Sequence, residues 1–196
     1  MGAGGAEVNI FVLDEDPVVA AEYHCDKHVV KMILECGQML CASHWLHLFK
    51  NYYNGPITDF KRVRDLQQWL YDNTHPVEQP PWKLSHMRHP CTLWTNESFG
   101  NYQWHWKLGV ALCKEYTRRY KKVHKCETVI DWLGKNTPRL MEDKGMTPFV
   151  ICMKDEYKVS DNPIECYREY YLKDKVRFAK WKTQPPHWWR MNGQSV

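Results

Sequence analysis

The stretch from Asp16 to Glu35, DPVVAAEYHCDKHVVKMILE, constrains the fold more than any other. Asp16 suits an N-cap and Pro17 the first helical position, because a short acceptor side chain satisfies an orphan N–H and proline has none to leave unpaired. At a helical period Val18, Ala21, Cys25, Val29, Met32 and Cys36 share one side, while His24, Lys27, His28, Lys31 and Glu35 share the other. The pattern predicts a long first helix from Pro17 to about Leu40 and on toward Phe49, with Asn54-Gly55-Pro56 as its stop. Its polar face carries two imidazoles one turn apart among lysines, so that face is either solvated surface or a site.

The rest of the chain is punctuated in the same way. Val8 to Leu13 reads as a short strand or an extended segment packed on the core. Phe60, Val63, Leu66 and Leu70 predict a helix over Thr58 to Tyr71, with Lys61, Arg62 and Arg64 as a solvated basic face. Prolines at 76, 80, 81 and 90 make Asn73 to Pro90 a loop, and it carries His75, Trp82, His86, Arg88 and His89. Pro90 to about Lys122 reads as a second long helix, with Leu93, Leu108, Ala111, Leu112 and Tyr116 as core and Trp94, Glu97, Asn101 and His105 as a polar-aromatic face. Arg118, Arg119, Lys121, Lys122 and Lys125 fit cations at a helix C-terminus. A short helix follows at Glu127 to Leu133, and Asn162-Pro163 opens a last one reaching Lys175. Residues 178–193 alternate aromatics with bases, and their prolines favour an extended course. The fold class is therefore mainly α: a single compact helical domain over 8–196, two long helices, little or no sheet, preceded by a flexible extension over 1–7.

Composition narrows the function. The chain has 196 residues and a net charge of +4, which permits a polyanionic partner without requiring one. Ten tryptophans and eleven tyrosines supply flat rings that can pin a core or stack on bases. The eight cysteines form no CxxC pair and follow no secretory leader, so the expected setting is reducing and intracellular, the host cytoplasm in a viral context. No apolar run reaches membrane-spanning length, and no cofactor motif is present.

Three groups of residues can carry chemistry. His24 and His28, four apart on one helix, have the spacing of two metal ligands, with His86, His89 or Cys91 as further candidates. The lysines on the same stripe would repel a cation, so His24, Lys27, His28 and Lys31 read first as an anion site. Asp26 or Glu35 then supplies a carboxylate for proton transfer. The second group is Arg88 and His89 leading into the Asn101 and His105 face. The third is the C-terminal set Arg168, Lys180, Trp181, Trp188, Trp189 and Arg190, suited either to stacking and phosphate contact or to pinning the tail on the core.

With NIFVLDEDP, YHCDKHVVKMILE, HPCTLW and FAKW the chain resembles a set of small proteins from tailed phages and other DNA viruses. More distantly it is similar to the phage pyrimidine-dimer DNA glycosylases, small helical enzymes that also cleave the abasic strand. The shared order is an apolar start, a helix with Ala21-Glu22-Tyr23 before a polar cluster, a long central helix and an aromatic-basic close at Trp188-Trp189-Arg190 through Gly193. That resemblance implies a scaffold that grips DNA and reaches a base or sugar. Two positions depart from it. Seven residues precede the matching start, which displaces the terminal amine that family uses as nucleophile. Cys25, with Asp26 beside it, stands at the family's catalytic glutamate, and His24 and His28 stand at its arginines. The expected function is a viral enzyme acting on DNA at a base or glycosidic bond. A transferase modifying an activated pyrimidine in DNA and a non-catalytic nucleotide- or nucleic-acid-binding module are the alternatives.

Overall fold

A computed structural model describes residues 8–192. The expected extension over 1–7, and Gly193 at the end of the tail, lie outside them. Among the described residues the elements are α1 (Pro17–Tyr23), α2 (Asp26–Tyr52), α3 (Val63–Asn73), α4 (Pro90–Glu97), α5 (Phe99–Tyr120), α6 (Glu127–Lys135), α7 (Pro163–Tyr170) and α8 (His187–Met191), with no strand. The mainly α reading holds. Residues 8–13 run extended and mostly buried against the helices.

The helix starts are made as the sequence implies. Asp16 Oδ1 accepts from the N–H groups of Val18 and Val19 at 2.7 and 3.4 Å, and Pro17 is the first helical residue. Asn162 caps α7 by accepting from Ile164 N–H at 2.9 Å. His89 caps α4 through Nδ1, which accepts from Cys91 N–H at 3.1 Å.

Both long helices are divided, which corrects the sequence reading. The first breaks where His24 and Cys25 turn extended, with ψ of 132° and 159°. A break strands the carbonyls of the preceding turn. Here they are taken from outside: Arg119 donates to Glu22 O and His24 O at 2.9 and 2.8 Å, and Trp181 Nε1 donates to Tyr23 O at 3.1 Å. On the far side Asp26 N–H donates to Lys180 O at 2.8 Å. The second helix breaks at Ser98, whose extended backbone lets its hydroxyl accept from the N–H groups of Gly100 and Lys144. Gly100 is needed there, since a Cβ would lie 2.6 Å from the Gly145 backbone.

Other boundaries shift too. The Thr58–Tyr71 helix begins at Val63, after a separate 3-10 turn at Ile57–Asp59. The tail is not wholly extended, because α8 forms after Pro186. Val18, placed on the apolar side of the first helix, and Leu93, read as core, are exposed.

α2, with 27 residues, is about 40 Å long at ~1.5 Å per residue. Its N-terminal two thirds join α1, α4, α5, α6, α7 and the 8–13 segment in one core. Its C-terminal third, through Trp45, Leu48 and Phe49, packs with Leu66 and Leu70 of α3 and with Leu84 and Met87 in a second. Both cores therefore draw on α2.

Arg119 has no exposed side-chain surface and pairs with Asp26 at 3.0 Å and Glu115 at 2.9 Å. Removing one partner of a buried pair leaves charge uncompensated, at a cost of about 3–5 kcal/mol. Arg119→Met should therefore lower stability by about that much in urea titrations. A loss below ~1 kcal/mol would show that the break between α1 and α2 does not depend on it.

Candidate functional site

The site is built around Phe11, the buried ring in the extended segment. Its ring stacks on His28 at a centroid distance of 4.5 Å and meets Tyr171 edge-on at 5.4 Å. His24, Tyr167 and Tyr170 close round it at 6.1, 6.0 and 5.9 Å. His28 Nδ1 lies 2.6 Å from the Tyr171 hydroxyl. Tyr171 opens a single π turn, Tyr171–Lys175, that continues α7. Such wide turns recur at functional sites. This one brings Lys175 to the same place: its amine bonds Tyr170 Oη at 3.0 Å and Asp174 at 2.7 Å, and lies 5.9 Å from the Phe11 centroid. Lys27 approaches from α2, with its amine 4.6 Å over the Phe178 ring.

His28 is thus a buried imidazole in a field of amines. Its pKa falls well below 6.5, first because burial disfavours the charged ring, then because His24, Lys175, Lys31 and Lys27 repel a further proton. His24, fully buried, is lowered to about 4 by burial. Both rings are neutral at pH 7. The amines of Lys27, Lys31 and Lys175 supply the charge for an anion, and the imidazoles offer only hydrogen bonds.

One turn along α2, Lys31 pairs with Glu35 at 3.0 Å. Glu35 also accepts from Asn9 N–H at 3.2 Å. Burial raises the Glu35 pKa, against the pull of Lys31. Asn9 ties this acid to a further cluster. Its Oδ1 lies 3.6 Å from Cys91 Sγ and 3.1 Å from the Tyr167 hydroxyl, and its Nδ2 donates to Cys152 O at 2.7 Å. His89 Nε2 is 3.8 Å from Cys152 Sγ. Residues 8–13, α2, the start of α4, the 149–153 stretch and α7 therefore converge on one polar seam, from Lys175 to His89.

The structure assigns other work to most remaining candidates. Asp26 pairs with Arg119 at the helix break. Asn101 is buried and bonds Trp94 O at 2.8 Å and Thr147 Oγ1 at 2.7 Å. His105, fully buried, lies 2.8 Å from Thr95 Oγ1, and burial lowers its pKa to about 3. Arg168 holds the N-terminal segment through Leu13 O at 3.0 Å and Asp14 at 3.2 Å. Lys180 contributes its carbonyl to Asp26, and its side chain is exposed. Trp188 and Trp189 are buried, and Trp181 packs on Trp189 at 4.8 Å, so these rings pin the tail to the core. Arg190, exposed, bonds Gln184 at 2.9 Å. Arg88 lies in a groove of about 450 Å³ shared with Lys61, Arg62, His86 and His89, whose ring also reaches Cys152. A groove of about 630 Å³ between α1 and α5 is mostly apolar, and Glu35 is not among its lining residues. The grouped ionisable side chains lie at the seam, which makes it the candidate site.

Sequence reasoning missed Asn9, Phe11, Cys152 and Lys175. The first two sit in NIFVL, where the apolar run hid them; Lys175 depends on the π turn, which no helical period shows. A scan against protein-family models, a search of curated proteins and a search of solved structures each find no match.

The buried imidazoles set the response to acid. His24, His44 and His105 take a proton near pH 6.5 when unfolded, but only near 4, 4 and 3 in the fold. The unfolded chain binds more protons between those limits. Stability should be full above pH 6.5 and fall as the pH drops toward 4, by on the order of 3 kcal/mol per ring. Glu35, raised by burial, acts in the opposite direction. Urea midpoints measured from pH 7 to pH 4 should show the fall, and His105→Leu should flatten it. An acid limb that starts only below pH 5 would contradict the account.

Proposed function

We propose that this protein is an enzyme acting on nucleic acid, at a base or its glycosidic bond. Lys27, Lys31 and Lys175 hold a phosphate, and Glu35 moves a proton. The observation that carries this is the placing of the Lys27 and Lys175 amines over Phe178 and Phe11, the two rings that pack on buried His28, with Lys31 paired to Glu35 further along α2. Multiple amine donors suit phosphate oxygens. A buried carboxyl whose pKa is raised suits a general acid or base.

Glu35 rather than Cys25 takes the acid's part. Cys25 occupies the position of the glutamate in the glycosylases that the sequence resembles, but it is fully buried and its thiol is pushed up by burial. Asp26 is engaged by Arg119. The mechanism therefore departs from the terminal-amine and glutamate chemistry of that family. His28, neutral and held by Tyr171, donates or accepts a hydrogen bond at the phosphate without adding charge. The viral setting, and with it the host cytoplasm, rests on the phage resemblance and is part of this proposal. Among the described residues no helix is long and apolar enough to cross a membrane.

Two measurements test the reading. The double variant Lys31→Met, Lys175→Met should weaken binding of a fluorescent single-stranded DNA at least tenfold. It should also flatten the dependence of log affinity on log salt by about 1.4, at roughly 0.7 per lost phosphate contact. Glu35→Gln should leave that binding within threefold and cut base release or base modification, read by mass spectrometry of nucleosides, by about 10²-fold. Unchanged affinity and salt slope in the double variant would remove the phosphate site. Full turnover in Glu35→Gln would remove the acid.

A further inference from the structure

We propose that His89, Cys91 and Cys152 bind one zinc ion. One ligand atom from each lies within 4.8 Å of the others. The edge between His89 Nε2 and Cys152 Sγ is 3.8 Å. With Zn–S near 2.3 Å and Zn–N near 2.0 Å, a tetrahedral ion separates its nitrogen and sulfur ligands by about 3.6 Å. The observed edge is long for a strong hydrogen bond and close to that value.

The ligands are held from outside. His89 and Cys91 belong to the first turn of α4, two residues apart. Cys152 comes from a distant segment, fixed by Asn9 Nδ2 donating to its carbonyl at 2.7 Å and by its own N–H donating to the Tyr167 hydroxyl at 3.2 Å. Partners of this kind fix ligand orientation around a metal. The ring of His89 also lines the basic groove with His86 and Arg88, which gives an ion a route from solvent. Two thiolates cancel the charge of the divalent ion, so the neighbouring cations do not exclude it.

Binding balances as follows. The two thiols lose their protons to solvent as the Zn–S bonds form. His89 Nδ1 now accepts the Cys91 N–H, which leaves the ring proton on Nε2. Ligation through Nε2 moves that proton to Nδ1 and releases this cap bond, and loss of the Cys91 proton releases its S–H bond to Asn9 Oδ1. Three protein ligands leave a fourth position for water or substrate, the pattern of catalytic rather than structural zinc. Asn9 bonds both Glu35 and the Cys152 carbonyl, so the proposed ion adjoins the seam that holds the acid.

The full chain, stripped of metal and titrated with Co²⁺ alone, should take up one equivalent with a thiolate-to-cobalt charge-transfer band that Zn²⁺ then abolishes. Cys91→Ser and Cys152→Ser should each lose the band, and Cys113→Ser should keep it. His89→Asn retains a good helix cap and removes the imidazole; it should weaken Zn²⁺ binding at least 100-fold with an unchanged far-ultraviolet circular dichroism spectrum. Absence of the band in the parent chain, or its survival in Cys152→Ser, would overturn the proposal. Metal content is read without any activity assay, so its failure is separable from failure of the DNA-binding measurement.

Discussion

The structure depends on one buried guanidinium. Arg119, on the last turn of α5, meets two carboxylates, Asp26 and Glu115, and two carbonyls, Glu22 and His24. A fork of five donors can do this where a lysine amine cannot. Its consequence lies on α2. By taking the carbonyls that the break strands, Arg119 lets the chain turn at His24 and Cys25. His24 and His28 then point at Phe11, and Lys31 and Glu35 line the adjoining seam. An uninterrupted helix would have kept one stripe along one face. The residue that fixes the site's geometry is thus more than ninety positions from the break it closes.

What the sequence reveals follows from how local the causes are. The starts at Asp16-Pro17, His89-Pro90 and Asn162-Pro163 are legible because cap and proline act within one turn. The stop at Asn54-Gly55-Pro56 is legible for the same reason. The breaks at His24 and Ser98 contain no proline, and each is closed by distant groups: Arg119 and Trp181 in one case, Glu142 and Gly145 in the other. No window of sequence holds both halves of such an interaction. The tail shows the same limit. Alternating aromatics and bases fit a stacking surface and a core anchor equally, and only burial of Trp188 and Trp189 separates them.

The His/Lys stripe was legible as a group, and its division of labour was not. Imidazole at four-residue spacing suggests charge or metal when the environment is unknown. Burial settles that by making both rings neutral, so the charge resides on Lys27, Lys31 and Lys175. Lys175 joins them because the π turn widens the helix by one residue and rotates the positions that follow. The second cluster depends wholly on tertiary structure. His89 and Cys91 are neighbours in sequence, but Cys152 reaches them only because Asn9 and Tyr167 hold its backbone from both sides.

Lys31 couples the two halves of the seam. Its amine is the nearest charge that favours ionised Glu35, and it opposes the burial that raises the carboxyl. A phosphate held by Lys31 would draw the amine toward itself and place negative charge near Glu35. Both effects remove support from the carboxylate and raise its pKa further. Anion binding and protonation of the acid would then be linked, and by reciprocity a protonated Glu35 would favour the anion. Within the proposed function, such a site would hold its proton when substrate is bound and release it when substrate leaves.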